Sequence, residues 1–280
     1  MNLTTNIGFG CVGLTAQSTQ SKALNLLDCA YQNGIIFFDT APIYGKGYSE
    51  IILGKFIKNK REKVVITTKF GLGKIGLPRL PPNLALPLNY FKNSLKKGTA
   101  HKTANNFNFK PVGYRCISKT AVEFDFNASL KRLNTNYIDN YLIHEGTPSF
   151  LTQEAKDFLY TQKHNGIIKN LGLGVNFKNL ENISEAELKE WDILQYEHGL
   201  MIPTNNIYTH YPNKKHIYHS VLKSLPYFKS ETINKVDAAG YLLAQPIINN
   251  PKIRVLFSSS TPKNIVSNLK NISLFFNKAV

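Results

Sequence analysis

Cysteine, methionine, tryptophan and acidic residues are scarce in this chain of 280 residues, which has three cysteines, two methionines, one tryptophan and 18 acidic against 34 basic residues. The cysteines Cys11, Cys29 and Cys116 are odd in number and lack the spacing of metal ligands. This pattern argues against a disulfide framework and a metal site, and it fits reduced thiols in a reducing compartment.

Long apolar runs are absent as well. No window approaches the roughly 18 consecutive apolar residues that a membrane span needs. The first residues, MNLTTNIGFG, lack the basic region and the apolar core of a signal peptide. We therefore expect a cytoplasmic protein without a membrane partner.

The formal net charge of +16 is the one unusual figure of the composition. Such a charge is compatible with a nucleic acid, an anionic membrane surface or a phosphorylated small molecule as partner. The lysines are, however, spread along the chain and mixed with asparagine, as in TPKNIVSNLKN, which favours a compositional bias. We expect no nucleic-acid partner, although a weak preference for anionic ligands still follows from the charge.

Short apolar runs alternate with helical patterns along most of the chain. The strand-like runs are IGFGCVG, IIFFDT, KVVITTKFG, YIDNYLIHEG, NLGLGVN, DILQYEHG, HIYHS and IRVLFSSS. About eight strands in strict alternation with helices predict an α/β protein with a parallel sheet, and that number favours a closed (β/α)8 TIM barrel. The alternative is an open doubly wound sheet, whose glycine fingerprint GFGCVG resembles superficially. No acidic residue closes the second strand at the ribose-binding distance, so we prefer the barrel.

Residues 71–120 interrupt this alternation. The stretch contains Pro78, Pro81, Pro82 and Pro87 and polar runs such as KKGTAHKTANN. A segment of this length inside a compact domain is typical of a functional or disordered loop. Because it follows the third strand, we expect a substrate-side insertion over the catalytic face. The whole chain, 1–280, is predicted to be a single domain.

Polar side chains are predicted at the ends of three successive strands. The segment FFDTAPIYGKGYSE, residues 37–50, places Asp39 at the end of an apolar run and Tyr44 five positions later in a turn. The next two strands end near Lys69 and His144. Each residue alone has a structural explanation: a turn cap, a packed aromatic, a solvated strand terminus or a rim residue. Because strand ends line the catalytic face of a barrel, we interpret the four as one catalytic group.

The four residue types together suit proton transfer to a carbonyl oxygen. A nearby ammonium favours the phenolate and lowers the pKa of a tyrosine, which Lys69 would do for Tyr44. Asp39 would keep Lys69 charged, since a buried ammonium without a partner tends to lose its proton. His144 would donate a hydrogen bond to the substrate oxygen. None of these groups is a hydride donor, so a reduction requires a cofactor.

Several segments in order resemble the aldo-keto reductase superfamily, whose members are NAD(P)-dependent (β/α)8 barrels with an Asp, Tyr, Lys and His catalytic group. The segments are FFDTAPIYGKGYSEIILGKFI, VVITTKFG, SLKRLNTNYIDNYLIHEG, GIIKNLGLGVN, ILQYEHGL and VLFSSSTPKNIVSNL. They cover nearly the whole chain except residues 71–120 and roughly residues 200–235. The resemblance implies that Tyr44 is the general acid/base, that Lys69 and Asp39 set its pKa, and that His144 orients the substrate.

The resemblance also implies a nicotinamide site. Asn176 and Gln195 would hold the nicotinamide carboxamide, although GVN stands where the family commonly has VSN. The family usually places an aromatic residue against the nicotinamide ring, and Tyr218 or His219 is the better candidate here, among others that include Tyr208 and Tyr211.

The last strand and the turn after it resemble the adenosine-phosphate segment of the family. The matching residues are Ser258, Ser259, Ser260, Thr261, Lys263, Asn264 and Asn268. Hydroxyls and backbone N–H groups at a helix N-terminus bind phosphate, but SSSTP is also an ordinary helix cap followed by proline. Many NADP-preferring relatives have an arginine where Asn264 stands, and Lys263 offers only a point charge. We expect NADP as the cofactor, with NAD as the alternative.

These inferences predict an NAD(P)H-dependent oxidoreductase that interconverts a carbonyl and an alcohol on a small polar, sugar-like substrate. The segment GLGVN is closer to the galactose and fucose dehydrogenases of the family. One alternative is a catalytically slow, cofactor-binding regulatory protein of the same fold. A nucleic-acid binder, suggested by the charge alone, ranks below both.

Overall fold

The chain forms a closed barrel of eight parallel strands in sequence order, in which β8 pairs with β1. The computed structural model describes residues 3–96, 116–181, 183–202, 205–230, 233–234 and 237–279. The strands are β1 (Ile7–Gly10), β2 (Phe37–Asp39), β3 (Val65–Phe70), β4 (Ile138–His144), β5 (Ile168–Gly174), β6 (Ile193–Glu197), β7 (Lys215–His219) and β8 (Arg254–Phe257). The barrel prediction is therefore confirmed, and the open sheet is wrong.

Helices surround the barrel. They are α1 (Gln20–Gln32), α2 (Tyr48–Ile57), α3 (Pro82–Lys96), α4 (Lys119–Leu133), α5 (Gln153–His164), α6 (Phe177–Leu180), α7 (Asn205–His210), α8 (Ala238–Asn249) and α9 (Pro262–Ala279). Short 3-10 helices lie at Leu3–Asn6, Cys11–Ala16, Arg61–Lys63, Pro148–Phe150 and Val221–Tyr227. Among the helices that the structure describes, none is both long and apolar enough to cross a bilayer.

Helix α1 shows how local sequence sets these boundaries. The Thr19 side chain accepts a hydrogen bond from the Lys22 N–H at 3.2 Å, as expected for an N-cap. At the other end Asn33 caps the helix and Gly34 has a φ of 89°, a left-handed conformation that glycine adopts without strain. The predicted stop at Asn33 and Gly34 is confirmed.

The interior of the barrel is filled by one apolar layer. Phe37, Leu142, Ile193, Ile217 and Leu256 form a buried cluster that is separate from the larger core between strands and helices. These residues lie on β2, β4, β6, β7 and β8. Side chains of a strand alternate between its two faces, so residues two positions further on also point inward.

That next inward layer carries the polar groups at the carboxyl ends of the strands. Its members are Asp39, Lys69, His144, Gln195, His219 and, just after β8, Ser258. Two glycines, Gly10 and Gly174, complete the layer on β1 and β5. The alternation that builds the apolar layer thus also builds the predicted site above it.

Two parts of the secondary structure differ from the prediction. Residues 71–120 are not loop throughout, because α3 lies within them and α4 begins at Lys119; residues 97–115 lie outside the described part of the chain. The prolines of this stretch led to the prediction of a loop, although Pro82 occupies the first position of α3, where proline is tolerated. The helix predicted near Ala186–Trp191 is a series of turns, since so short a segment is a weak helix without packing support.

Candidate active site

A buried ion pair joins the ends of β2 and β3. Lys69 Nζ donates to Asp39 Oδ1 at 2.8 Å and Oδ2 at 2.9 Å, and to the Thr40 carbonyl at 3.0 Å. The exposed fractions are only 3% for Lys69 and 4% for Asp39. Burial has the largest single effect and lowers the pKa of Lys69, but the charges of Asp39, Tyr44 and Cys11 and the hydrogen bonds to Asp39 together outweigh it and raise the pKa above its ordinary value. Lys69 therefore stays charged at neutral pH.

Tyr44 lies above this pair, in a tight turn between β2 and α2. Gly45, Lys46 and Gly47 all have positive φ angles, of 61°, 55° and 92°. A Cβ on Gly45 would come within 2.3 Å of the Thr15 side chain, so only glycine fits there. The turn sets the Tyr44 ring with its centroid 5.5 Å from Lys69 Nζ.

Burial raises the pKa of the Tyr44 phenol above its ordinary value. The charge of Lys69 and the contact of its ammonium with the phenol lower the pKa of Tyr44, as predicted. The charge of Asp39 raises that pKa. Burial has the larger effect, so the prediction that the pKa of Tyr44 is lowered overall is wrong for the chain by itself. Tyr44 is a protonated phenol at neutral pH and can act as a proton donor.

His144 ends β4 beside Tyr44. The two ring centroids are 6.2 Å apart and the ring planes meet at 87°. Burial, followed by the charge of Lys69 and by His219, lowers the pKa of His144 well below its ordinary value. A neutral imidazole has one N–H, which can donate a hydrogen bond to an oxygen at the mouth of the barrel.

Gln195, on β6, contacts the same carboxylate as Lys69. Its Nε2 donates to Asp39 Oδ2 at 2.7 Å. Its Oε1 is buried and accepts no hydrogen bond from any group in the described part of the chain. A Cβ added to Gly174 would come within 3.2 Å of that oxygen and 3.3 Å of Lys69 Cε. The glycine keeps space around an acceptor that an amide donor could reach.

The two candidates for the stacking position lie on opposite faces of β7. Tyr218 points outward and stacks on His198 with centroids 4.3 Å apart, so the structure does not bring it to the barrel mouth. His219 lies on the inward face, where its Nδ1 is 2.9 Å from Ser220 Oγ. Burial, followed by the charges of Lys69 and Lys223, lowers the pKa of His219 to about 3. Of the two, the geometry favours His219.

Asn176 follows β5 and is exposed at the same rim. Its Oδ1 accepts a hydrogen bond from the Lys178 N–H at 3.0 Å, which makes Asn176 the N-cap of α6. The side-chain oxygen thus has a structural partner in this conformation.

The segment after β8 forms the N-terminal cap of α9. Thr261 Oγ1 accepts from the Asn264 N–H at 3.3 Å, and Ser259 Oγ accepts from the Thr261 N–H at 3.1 Å. A Cβ on Gly10 would come within 2.4 Å of Ser258 Oγ, so β1 approaches this segment closely. The capping function of SSSTP is confirmed. The remaining predicted residues lie there too: Ser260, Lys263 and Asn264 are exposed and Asn268 is half-buried.

A second buried ion pair, missed in the sequence, fixes the segment after β3. Arg132 donates to Glu50 Oε2 at 2.5 Å and to the carbonyls of Ile75 and Gly76. Nearby, Asp125 Oδ2 accepts from the Gly71 N–H at 3.2 Å. Residues 71–76 are therefore held by α4, and part of this segment lines a small cavity together with Lys69 and His144. A cavity of about 540 Å³ lies outside the mouth, between β7 and α8, and its lining includes Tyr208 and Tyr218.

Two further groups near the site were also missed. Cys11, directly after β1, is fully buried, and burial followed by the charge of Asp39 raises its pKa well above the ordinary value. Glu145 follows His144 with a left-handed φ of 56°. The sequence signal for Glu145 is its place in the HEG turn directly after a strand that ends in a candidate catalytic residue.

Comparison with known proteins gives a consistent result. The sequence model of the Aldo/keto reductase family matches residues 6–235. A pyridoxal 4-dehydrogenase from Microbacterium luteolum is 34% identical over 208 residues, which are 66% of this chain and 56% of that protein. An NADH-specific methylglyoxal reductase from Escherichia coli is 28% identical over 179 residues, 61% of this chain and 46% of that protein. The chain thus spans about half the length of these curated relatives.

A solved structure shows the same fold. The aldo-keto reductase from Klebsiella pneumoniae in complex with NADPH superimposes with a TM-score of 0.65 at 16% identity, covering 96% of this chain and 85% of that one.

Proposed function

The chain belongs to the aldo/keto reductase family, and on that premise we propose that it is an NAD(P)H-dependent oxidoreductase that interconverts a carbonyl and an alcohol on a small polar, sugar-like substrate. The observation that carries this proposal is the buried Lys69–Asp39 pair beneath Tyr44, with His144 beside it. Four groups with complementary proton chemistry share one barrel mouth, where a structural explanation would need only one or two of them.

Tyr44 holds the proton that a carbonyl oxygen receives on reduction. Its raised pKa keeps the phenol protonated until the oxygen of the substrate gains negative charge. Lys69 then stabilises the phenolate that remains, because an ammonium near a phenolate is favourable in a site of low dielectric. Asp39 fixes the position and the charge of Lys69 through two hydrogen bonds.

His144 orients the substrate. Its neutral ring donates one hydrogen bond to the same oxygen that Tyr44 protonates, and donors fixed in advance need no rearrangement as charge develops. In the direction of oxidation the phenolate form of Tyr44, stabilised by Lys69, accepts the proton of the alcohol.

Residues at the strand ends fit a reduced nicotinamide dinucleotide, which when bound supplies the hydride. The buried Oε1 of Gln195, which has no partner among the described residues, suits the N–H of a carboxamide. Asn176 and His219 lie near it. The hydroxyls and N–H groups from Ser258 to Asn268, close to Gly10, suit a phosphate-bearing adenosine.

The relatives support both forms of the cofactor. The Escherichia coli methylglyoxal reductase is named NADH-specific, whereas the Klebsiella pneumoniae structure contains NADPH. We propose NADP, with NAD as the alternative, because Lys263 offers one positive charge near Asn264. A cytoplasmic location also belongs to the proposal, supported by cysteines that are all free.

Cofactor binding followed by turnover tests the proposal. Thermal unfolding is measured with no cofactor, with NADPH and with NADH, since a ligand that binds only the folded state raises the unfolding temperature. The consumption of the better cofactor is then followed with a panel of aldehydes and ketones. We expect a thermal shift and turnover of at least one small hydroxyaldehyde. A thermal shift without turnover of any carbonyl would favour the regulatory alternative, and no shift with either cofactor would contradict both.

A further inference from the structure

Glu145 adopts a backbone conformation that glutamate rarely takes. Its φ of 56° lies in the left-handed region, where residues other than glycine, asparagine and aspartate are uncommon. Its N–H donates to the Gly174 carbonyl at 2.8 Å, which continues the pairing of β4 with β5 past His144. The left-handed turn redirects the side chain of Glu145 at the strand end. Residues with this strained conformation cluster at ligand sites, which points to a functional role for Glu145.

The carboxylate of Glu145 lies on the rim of the candidate active site. Burial raises the pKa of the Glu145 carboxyl, and the nearby backbone N–H of Asn176, beyond the end of β5, lowers it. The carboxylate also lies within electrostatic reach of Glu197, Lys69 and Lys223. The surrounding strand ends crowd the carboxylate, although the residue as a whole is exposed and thus accessible to a ligand.

Among the residues that the structure describes, the charge of Glu145 is not neutralised by an ion pair, whereas the charges of its neighbours are. Lys69 is paired with Asp39, and Lys223 with Glu197 at 3.2 Å. In the part of the chain that the structure describes, no ion pair involves Glu145. The mouth therefore carries one unpaired negative charge in a protein whose formal net charge is +16.

A purely structural role for Glu145 would be to cap the turn that holds Asn176. A cap needs only a side-chain oxygen, which glutamine supplies equally well. The negative charge, in contrast, also acts on a charged ligand that enters the mouth. Substitution by glutamine therefore separates the two roles.

We propose that Glu145 determines the substrate class of the active site. Its carboxylate accepts a hydrogen bond from a hydroxyl of an uncharged, polyhydroxylated carbonyl compound, and it repels carbonyl compounds that carry a carboxylate or a phosphate. This selection opposes the general attraction of a basic protein for anions. The inference rests on the proposed carbonyl reductase function.

Two substrates that share a carbonyl and a three-carbon chain, but of which only one carries a phosphate, test this inference. With NADPH as the reductant, kcat and KM are measured for glyceraldehyde and for glyceraldehyde 3-phosphate in the wild type, in Glu145→Gln and in Glu190→Gln. Glu190 is exposed and precedes β6, so it lies toward the opposite end of the barrel. We expect the wild type to prefer glyceraldehyde. Glu145→Gln should reduce the ratio of the two kcat/KM values about tenfold, mainly through KM, because one charge is removed close to the substrate.

The control and a second variant make the result decisive. Glu190→Gln should leave the ratio unchanged, and Glu145→Lys should reverse the preference toward the phosphate. An unchanged ratio in Glu145→Gln, or an equal change in Glu190→Gln, would overturn the role of Glu145 while leaving the reductase function intact. If neither aldehyde is reduced by the wild type, the proposed function fails for these substrates, and this inference fails with it.

Discussion

Gln195 Nε2 lies 2.7 Å from Asp39 Oδ2, so one buried carboxylate receives hydrogen bonds both from this amide and from the Lys69 ammonium. Lys69 belongs to the proposed proton-transfer group, and Gln195 to the proposed cofactor site. Asp39 thus links the two halves of the site through direct contacts. A change in any of these three side chains should affect both halves.

The Lys69–Asp39 pair should be strongly coupled. Removing one partner leaves a buried charge or dipole without compensation, so Lys69→Met and Asp39→Asn should each lower the free energy of unfolding by about 3–5 kcal/mol. The double variant should be more stable than either single variant. Urea unfolding of all four proteins measures this coupling.

An exposed ion pair provides the control. Lys60 and Asp28 lie 3.0 Å apart with side chains 29% and 45% exposed. Asp28→Asn should therefore change the free energy of unfolding by less than about 1 kcal/mol. Equal effects at the two sites would contradict the account of Lys69 and Asp39.

The pH dependence of reduction should follow Tyr44. Burial raises the pKa of its phenol, so the proton donor is present at neutral pH and is lost only in the alkaline range. The pKa of His144 is lowered, and that of His219 lies at about 3, so neither ring gains a proton near neutrality. The rate of carbonyl reduction at saturating substrate should stay level from about pH 6 to about pH 9 and then fall. A clear inflection near the ordinary pKa of histidine would show that this assignment is wrong.

Asp125 should make stability depend on pH. Burial raises its pKa from 3.8 to about 6. Since the folded state holds this proton more tightly than the unfolded state, the contribution is present below about pH 4 and is lost as the pH rises through about 6. Asp125→Asn keeps the acceptor for the Gly71 N–H but cannot ionise. The free energy of unfolding of Asp125→Asn, relative to that of the wild type, should increase by about 2–3 kcal/mol from about pH 4 to about pH 7.5. Urea unfolding at both pH values tests this, and a constant difference would contradict it.

A side chain at position 174 should disturb both halves of the site. A Cβ there would press on Gln195 Oε1 at 3.2 Å and on Lys69 Cε at 3.3 Å, so both groups must shift. Gly174→Ala should raise the KM for the cofactor about tenfold and lower stability by about 1–3 kcal/mol. Gly76→Ala is the matched control, because nothing lies within 4 Å of a Cβ there. Steady-state kinetics with varied cofactor distinguish the two variants.

Much of the site could be predicted because parallel strands bring their carboxyl ends to one face. Asp39, Lys69 and His144 each end or nearly end a strand, and their inward direction follows from the period of two along each strand. The same alternation assigns Tyr218 to the outer face and His219 to the inner face of β7, once Ile217 is known to lie in the interior layer.

Other features could not be predicted because they depend on long-range packing. The net pKa of Tyr44 reflects how deeply the turn places the ring, which no local pattern reveals. The Glu50–Arg132 pair joins residues 82 positions apart. The left-handed conformation of Glu145 occurs where its N–H donates to the Gly174 carbonyl on the next strand, a contact that the local sequence does not reveal.

The central claim is that Tyr44, activated by Lys69, exchanges a proton with the oxygen of a carbonyl substrate. Tyr44→Phe removes only the hydroxyl and leaves the ring that packs beside His144. A rapid-mixing measurement of NADPH oxidation with glyceraldehyde, combined with NADPH titration by fluorescence, tests the claim most directly. We predict that Tyr44→Phe binds NADPH as the wild type does and oxidises it about 10²- to 10⁴-fold more slowly. A variant that oxidises NADPH at the wild-type rate would contradict the account.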